Sequence, residues 1–84
     1  MFKLIYAKSI KKDIKNLDNH TKEKLKIEIE KLQHFPHITQ IKRLKSYPLA
    51  DFRLKVGNYR VLFDVDFDNK EIHILKISHR KDLY

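Results

Sequence analysis

Residues 52–65 have the sequence FRLKVGNYRVLFDV, which is typical of a β-hairpin. Apolar residues at 52, 54 and 56 alternate with cations, as in a strand that packs one face against a core. Gly57-Asn58 is a two-residue turn signal, with glycine at the position where a type II′ turn requires it. Apolar residues at 59, 61, 63 and 65 continue the same face. The stretch therefore predicts two antiparallel strands joined at 57–58.

Outside this hairpin, the apolar spacing predicts two helices and two further strands. Residues 2–6 alternate as a short strand, and residues 72–77 are apolar enough on both faces to form a central strand. Segment 8–17 has a helical apolar stripe, and a second helix should begin at a Thr21 cap and end at about Phe35, before Pro36. Residues 36–50 are interpreted as a basic connection.

The predicted order is β-α-α-β-β-β within a single domain spanning residues 1–84. Strands that follow a pair of helices indicate an α+β fold. We expect two N-terminal helices packed on one face of a small, mostly antiparallel sheet.

The composition limits the classes of function. The chain has 84 residues, no cysteine and a net charge of +8. Small secreted domains usually carry disulfides, so the absence of cysteine favours a cytoplasmic location and excludes thiolate catalysis and cysteine-ligated metals. No apolar run approaches the ~18 residues of a membrane span, and the N-terminus lacks a signal-peptide core, so no membrane contact is expected. The positive charge indicates a polyanionic partner, or serves solubility alone.

The hairpin register predicts where the cations converge. A two-residue turn places Lys55 directly opposite Arg60, with Arg53 as the diagonal neighbour of Arg60. Like charges directly opposite each other destabilise a sheet, so this arrangement suggests a floor that binds phosphate. The alternative is three solvated side chains that splay apart at little cost.

The segment from 42 to 60 adds to this cluster. It carries six cations against one acid, a net +5 out of the total +8. Lys42, Arg43 and Lys45 precede the hairpin and are predicted to bind RNA. Aromatic residues at 47, 52 and 59 are interleaved with the cations, and this combination suits single-stranded nucleic acid, whose bases stack on rings. The alternative is that these rings belong to the core.

The C-terminal residues 78–84, SHRKDLY, combine an imidazole, a guanidinium, an ammonium and a phenol. RNA cleavage through the 2′-hydroxyl needs a base, positive charge around the phosphate and an acid for the leaving oxygen. His79 and Tyr84 are able to transfer protons, Arg80 is able to bind phosphate through two N–H groups, and Lys81 adds charge for RNA binding. Taken alone, the segment is better explained as a frayed, charged terminus.

The stretches YRVLFDVD (59–66) and IHILKISHRKDLY (72–84) resemble the RelE/ParE superfamily of prokaryotic toxin–antitoxin systems. The tyrosine–arginine pair at 59–60, the histidine–arginine pair at 79–80 and the tyrosine at 84 carry the resemblance. The predicted element order, the length and the basic charge agree with it over essentially the whole chain.

RelE-type members are ribosome-dependent endoribonucleases that cut mRNA in the ribosomal A site without a metal or other cofactor, by attack of the RNA's own 2′-hydroxyl. The resemblance places the family's functional positions on Arg53, Lys55, Arg60, Arg80 and Tyr84. Arginine at 53 stands where lysine is common, so proton transfer there is in doubt, because arginine does not deprotonate in proteins. His79 is an alternative to Tyr84 for proton transfer.

Two other functions stay open. The ParE branch shares the fold but inhibits DNA gyrase without cleaving RNA, and a non-catalytic RNA- or ribosome-binding module would need the same charge. The matched residues favour the nuclease branch. The resemblance also implies a cognate antitoxin, acidic and partly disordered, that folds on binding.

Two motifs with metal-like spacing do not predict a metal site. Asp64-x-Asp66-x-Asp68 lacks the glycine and glutamate of a calcium loop. His34-x-x-His37 has a proline between its histidines and no further ligand nearby.

Overall fold

The computed structural model describes the backbone of residues 1–83 and the side chains of residues 1–82. The elements in chain order are β1 (Lys3–Tyr6), α1 (Ile10–Ile14), α2 (Asn19–Glu30), a 3₁₀ turn (Lys31–His34), β2 (Ile41–Arg43), β3 (Phe52–Val56), β4 (Tyr59–Asp66), β5 (Glu71–His79) and α3 (Arg80–Leu83). The strands form one sheet in the order β1-β5-β4-β3-β2.

The sheet confirms the predicted class and adds one strand to the predicted order of elements. Neighbouring strands are antiparallel except for β1, which runs parallel to β5. The α+β fold with helices on one face of a mostly antiparallel sheet is therefore confirmed, and the sheet is mixed. The interpretation of residues 36–50 as a connection is wrong for Ile41–Arg43, which form the edge strand β2. Three residues that include two adjacent cations give no alternation by which a strand could be recognised.

The second helix begins and ends close to its predicted positions. The cap of α2 is Asp18 rather than Thr21, because the Asp18 carboxylate accepts a hydrogen bond from the Thr21 backbone N–H at 3.3 Å. The helix tightens into the 3₁₀ turn, which ends at His34 with Phe35 as its cap, ahead of Pro36. Helix α1 covers only the middle of the predicted segment 8–17.

One hydrophobic core lies between the helices and the sheet. Its helical members include Ile10, Leu25 and Ile29, and its strand members include Val61 and Phe63. The Phe63 ring is fully buried and stacks on Phe52, with centroids 5.4 Å apart. Burial of each large apolar side chain stabilises the fold by about 1.5–3 kcal/mol, so this core fixes the helix face of the sheet.

A β-bulge in β5 changes which residues face the helices. Leu62 lies opposite Lys76 and Phe63 lies opposite Ile74, so Leu75 has no partner on β4. An extra residue of this kind reverses the alternation beyond it. Ile74 and Ile77 therefore both belong to the core, although they are three residues apart.

Among the described residues, no helix is both long enough and apolar enough to cross a membrane.

Candidate nucleic-acid interface

The predicted hairpin register is confirmed. Val56 lies opposite Tyr59 and Lys55 lies opposite Arg60. Gly57 has a φ of +57°, whereas Asn58 keeps a negative φ, which is the pattern of a type II′ turn. Since this turn leaves no residue unpaired next to the loop, the register predicted from the sequence extends along the whole of β3.

Four cations share the sheet face that is turned away from the helices. Lys55 is opposite Arg60, and β2 places Lys42 directly opposite Arg53. Both pairs place like charges directly opposite each other, which destabilises the sheet locally. We call Lys42, Arg53, Lys55 and Arg60 the cationic face.

Arg60 is the buried member of the cationic face, with 8% of its surface exposed. Its Nη1 atom donates to the carbonyl oxygens of Gly57 at 3.0 Å and Tyr59 at 2.9 Å. These bonds hold the guanidinium against the hairpin backbone. The buried Nε atom has no partner in the described part of the chain. A buried cation with an unpaired hydrogen-bond donor destabilises the fold unless an anion binds to it.

Acidic residues do not neutralise this face. None of its four cations lies within 4.0 Å of a carboxylate of residues 1–82. The acids on the same face of β4 and β5 lie at the opposite end of these strands, where Asp64 pairs with His73 and Asp66 with Glu71. Positive charge is therefore concentrated at the hairpin end of the sheet, and it is available to an anion.

The other predicted RNA-binding residues are dispersed. Arg43 belongs to the opposite sheet face, with its guanidinium 5.8 Å from the centroid of the Phe52 ring. Lys45 is exposed in the connection between β2 and β3. Arg80 and Lys81 are exposed at the start of α3, where the Arg80 backbone N–H donates to the Asn58 carbonyl at 2.8 Å. This bond brings the beginning of α3 to the hairpin turn.

The two proton-transfer candidates have different outcomes. Tyr84 lies outside the described residues. His79 is opposite Tyr59 in the register, and the two rings meet edge to face at 5.2 Å. Tyr59 packs against the hydrophobic core, so the bulge at Leu75 has placed His79 on the helix face rather than with Arg60. The structure thus separates this imidazole from the cationic face.

A possible metal-binding group lies at the acidic end of the sheet. Ligand atoms of Asp66, Glu71 and His73 lie within 4.8 Å of one another. These groups already have partners, because Asn69 donates to Asp66 from its side chain and backbone, and His73 lies 3.2 Å from Glu71. The bonds from Asn69 lower the pKa of the Asp66 carboxyl below its usual value. The hydrogen bonds of the turn at 66–71 therefore explain why these three side chains lie together, without a metal ion.

Sequence reasoning named Lys42 but not its place opposite Arg53, and it missed Asp13. The contribution of Lys42 depends on β2, which has no sequence signal of its own. The Asp13 carboxylate of α1 accepts a hydrogen bond from the Ile77 backbone N–H at 3.0 Å, on the edge of β5 beyond the end of β1. A side-chain bond between residues so far apart in sequence has no local pattern.

The fold and its charge distribution define a class: a small, basic α+β protein whose cations are gathered around one hairpin. Residues 4–84 match the family described as the ParE toxin of the type II toxin–antitoxin system parDE. The chain is 33% identical to toxin RelE3 of Methanocaldococcus jannaschii, an alignment that covers 98% of this chain and 94% of that relative. The chain therefore belongs to the RelE/ParE superfamily of toxins, in its RelE-like branch.

Solved structures of relatives have the same fold. The crystal structure of the RelB–RelE antitoxin–toxin complex from Methanococcus jannaschii is 31% identical, with a TM-score of 0.74 and coverage of 95% of this chain and 94% of that one. The isolated RelE toxin of E. coli is 17% identical, with a TM-score of 0.74 and coverage of 94% and 84%. The second likeness concerns the fold alone.

Proposed function

We propose that this chain is a cytoplasmic, ribosome-dependent mRNA endoribonuclease that inhibits translation. The observation that supports this most is the pair of like-charged cross-strand contacts, Lys42 with Arg53 and Lys55 with Arg60, at one end of the sheet. A fold without an anionic ligand would gain stability by placing acids at these positions. Membership of the RelE-like branch supplies the class of reaction.

In this proposal the cationic face binds the scissile phosphate. Arg60 has the best-defined position, because its two bonds to the hairpin backbone orient the guanidinium and leave Nη2 for the phosphate oxygens. Arg53 and Lys55 flank it, and Arg80 approaches from the start of α3. Preorganised cations of this kind stabilise the charge that develops on a pentavalent phosphate. Lys42, Arg43, Lys45 and Lys81 would hold the flanking RNA.

The proton transfers need groups that change protonation state. Arg53 and Arg60 do not deprotonate, so Lys55 is the member of their cluster that is able to exchange a proton. The edge-to-face contact of His79 with Tyr59 directs the imidazole away from the phosphate site. We therefore assign the second proton transfer to Tyr84 in preference to His79.

We also propose that an antitoxin silences this chain. The relative from Methanococcus jannaschii was crystallised as an antitoxin–toxin complex. A net charge of +8 suits an acidic partner that is partly disordered when free and folds on binding. Neutralisation of the cationic face by such a partner would exclude RNA.

A second candidate function is inhibition of DNA gyrase, because the family model that matches the chain describes ParE toxins. This function needs no chemistry at the cationic face. It predicts DNA damage and intact mRNA, whereas a non-catalytic RNA- or ribosome-binding module predicts neither damage nor cleavage.

The test is a translation extract with ribosomes, a defined mRNA and mapping of 5′ ends by primer extension. The wild-type chain should cut within A-site codons only when ribosomes are present. Arg60→Ala with Arg80→Ala should reduce cleavage by at least about 100-fold, as expected for loss of charge-stabilising donors. The matched control is Lys8→Ala with Lys11→Ala, which removes two exposed cations from the α1 region and should cleave like the wild type. Intact mRNA with folded wild-type protein would refute the proposal.

A further inference from the structure

The Tyr59 ring occupies a distinctive place at the hairpin end of the sheet. It is the first residue of β4, is half-buried, and meets the His79 ring at 5.2 Å. Arg60 follows it in sequence and belongs to the opposite face. The Tyr59 side chain packs against the core, is partly exposed, and lines two surface cavities.

Two cavities border Tyr59. The first has a volume of about 410 Å³ and is lined by residues of α1, β5 and α3, among them Asp13 and Asp82, and by Leu17, which follows α1. The second has a volume of about 210 Å³ and lies between the start of α2 and the hairpin turn, with Lys24 and Asn58 in its wall. Tyr59 is the residue that lines both cavities, and we call the two cavities together the Tyr59 cleft.

The Tyr59 cleft combines an aromatic surface with hydrogen-bonding groups. The His79 Nδ1 atom accepts a hydrogen bond from the Lys81 backbone N–H at 3.1 Å, so in the neutral ring the proton is on Nε2, which is then a donor. The Asp82 carboxylate, in the same wall, is an acceptor. A flat ligand with an apolar face and a polar edge fits this combination, and a nucleobase has both features.

The cleft adjoins the cationic face across the end of the sheet. Gly57, at the turn, carries no side chain, and a Cβ added there would meet only the Lys24 ammonium, at 3.7 Å. A nucleic-acid strand is therefore able to pass closely over the hairpin turn. A phosphate on Arg60 and a base on Tyr59 would lie on the two sides of that turn.

We propose that the Tyr59 cleft binds an unstacked base of single-stranded RNA, on a nucleotide close to the phosphate held by Arg60, and that it contributes to the choice of cleavage site. This inference rests on the proposed function for its substrate class. It assigns to Tyr59 the role of a stacking residue, and to His79 a contact with the base edge in place of the scissile phosphate.

The test measures binding of a short single-stranded RNA by fluorescence anisotropy at low salt, with an abasic site placed at each position in turn. Loss of a stacked base should weaken binding by roughly 5- to 150-fold at one position. In Tyr59→Leu the same abasic substitution should have no further effect, because the ring is gone. Tyr59→Phe keeps the ring and should behave like the wild type. Tyr6→Leu, at the half-exposed tyrosine of β1, is the matched control.

The outcomes separate this inference from the proposed function. Equal abasic penalties in Tyr59→Leu and the wild type would overturn the inference, as would the absence of measurable RNA binding by the wild type at low salt. If Tyr59→Leu does not fold, His79→Ala should reduce the same position-specific penalty, and an unchanged penalty in that variant would overturn the inference. RNA binding with a Tyr59-dependent penalty but without cleavage on ribosomes would refute the proposed function alone.

Discussion

Replacement of Lys55 by glutamate should make the protein more stable and less able to bind RNA. Lys55 lies directly opposite Arg60, which is buried and has no carboxylate within 4.0 Å among residues 1–82. The substitution exchanges a repulsive cross-strand pair for an attractive one. Loss of the repulsion and gain of the attraction each contribute roughly 0.2–1 kcal/mol. The free energy of unfolding should therefore rise by about 1 kcal/mol.

Lys3→Glu is the matched control for this prediction. It makes the same change in net charge, from +8 to +6, at another exposed lysine. However, Lys3 lies beside Glu71 in the register between β1 and β5, so this variant creates a repulsive pair. The local change in the free energy of unfolding should therefore be positive for Lys55→Glu and negative for Lys3→Glu. Any benefit from the lower overall charge is common to both variants.

Urea unfolding followed by circular dichroism measures this difference. At low salt, Lys55→Glu should have a higher urea midpoint than the wild type, and thermal unfolding should show a melting temperature raised by about 4–8 °C per kcal/mol. The difference between the variants should shrink in about 1 M salt, where the screening length is only about 3 Å. RNA affinity should fall in Lys55→Glu and stay close to wild type in Lys3→Glu. Equal shifts in both variants would refute local repulsion on the cationic face.

Three further changes test the elements that position the site. Asp13→Ala should lower the free energy of unfolding by about 1–2 kcal/mol, measured in urea, because the half-buried Ile77 N–H loses its acceptor, and Asp13→Asn should cost less because it retains one. Gly57→Ala should cost about 1–2 kcal/mol in the same assay, since a φ of +57° strains an L-residue even without a backbone clash. Folding lowers the Asp66 pKa, so its stabilisation is present above the unfolded pKa and lost as the pH falls through the folded pKa. Below about pH 4, the urea midpoint should therefore decrease less steeply with falling pH in Asp66→Asn than in the wild type.

Much of the sheet was predictable because local spacing determines it. The two-residue turn at 57–58 sets the pairing of β3 with β4, and the alternation of apolar residues selects their core face. The strand β2 was not predictable, because its three residues are held by the free edge of β3 and carry no alternation of their own. The same edge brings Lys42 beside Arg53.

The candidate site was only partly predictable, for the same reason. The opposition of Lys55 and Arg60 follows from the turn, so the sequence was sufficient to locate it. The burial of Arg60 and its two bonds to hairpin carbonyls depend on how the side chain folds back over the turn. The Asp13 bond to Ile77 joins elements that only the packing of α1 beside β5 brings together.

The sequence by itself determined the fold class, the hairpin register and the cluster of Arg53, Lys55 and Arg60, because these depend on short-range periodicity and on one glycine turn. Only the tertiary structure decided the side of the sheet on which His79 lies. Simple alternation from Ile74 would put His79 with Arg60, on the cationic face. The unpaired Leu75 reverses that alternation, because packing of Ile77 under the helices requires one extra residue in β5.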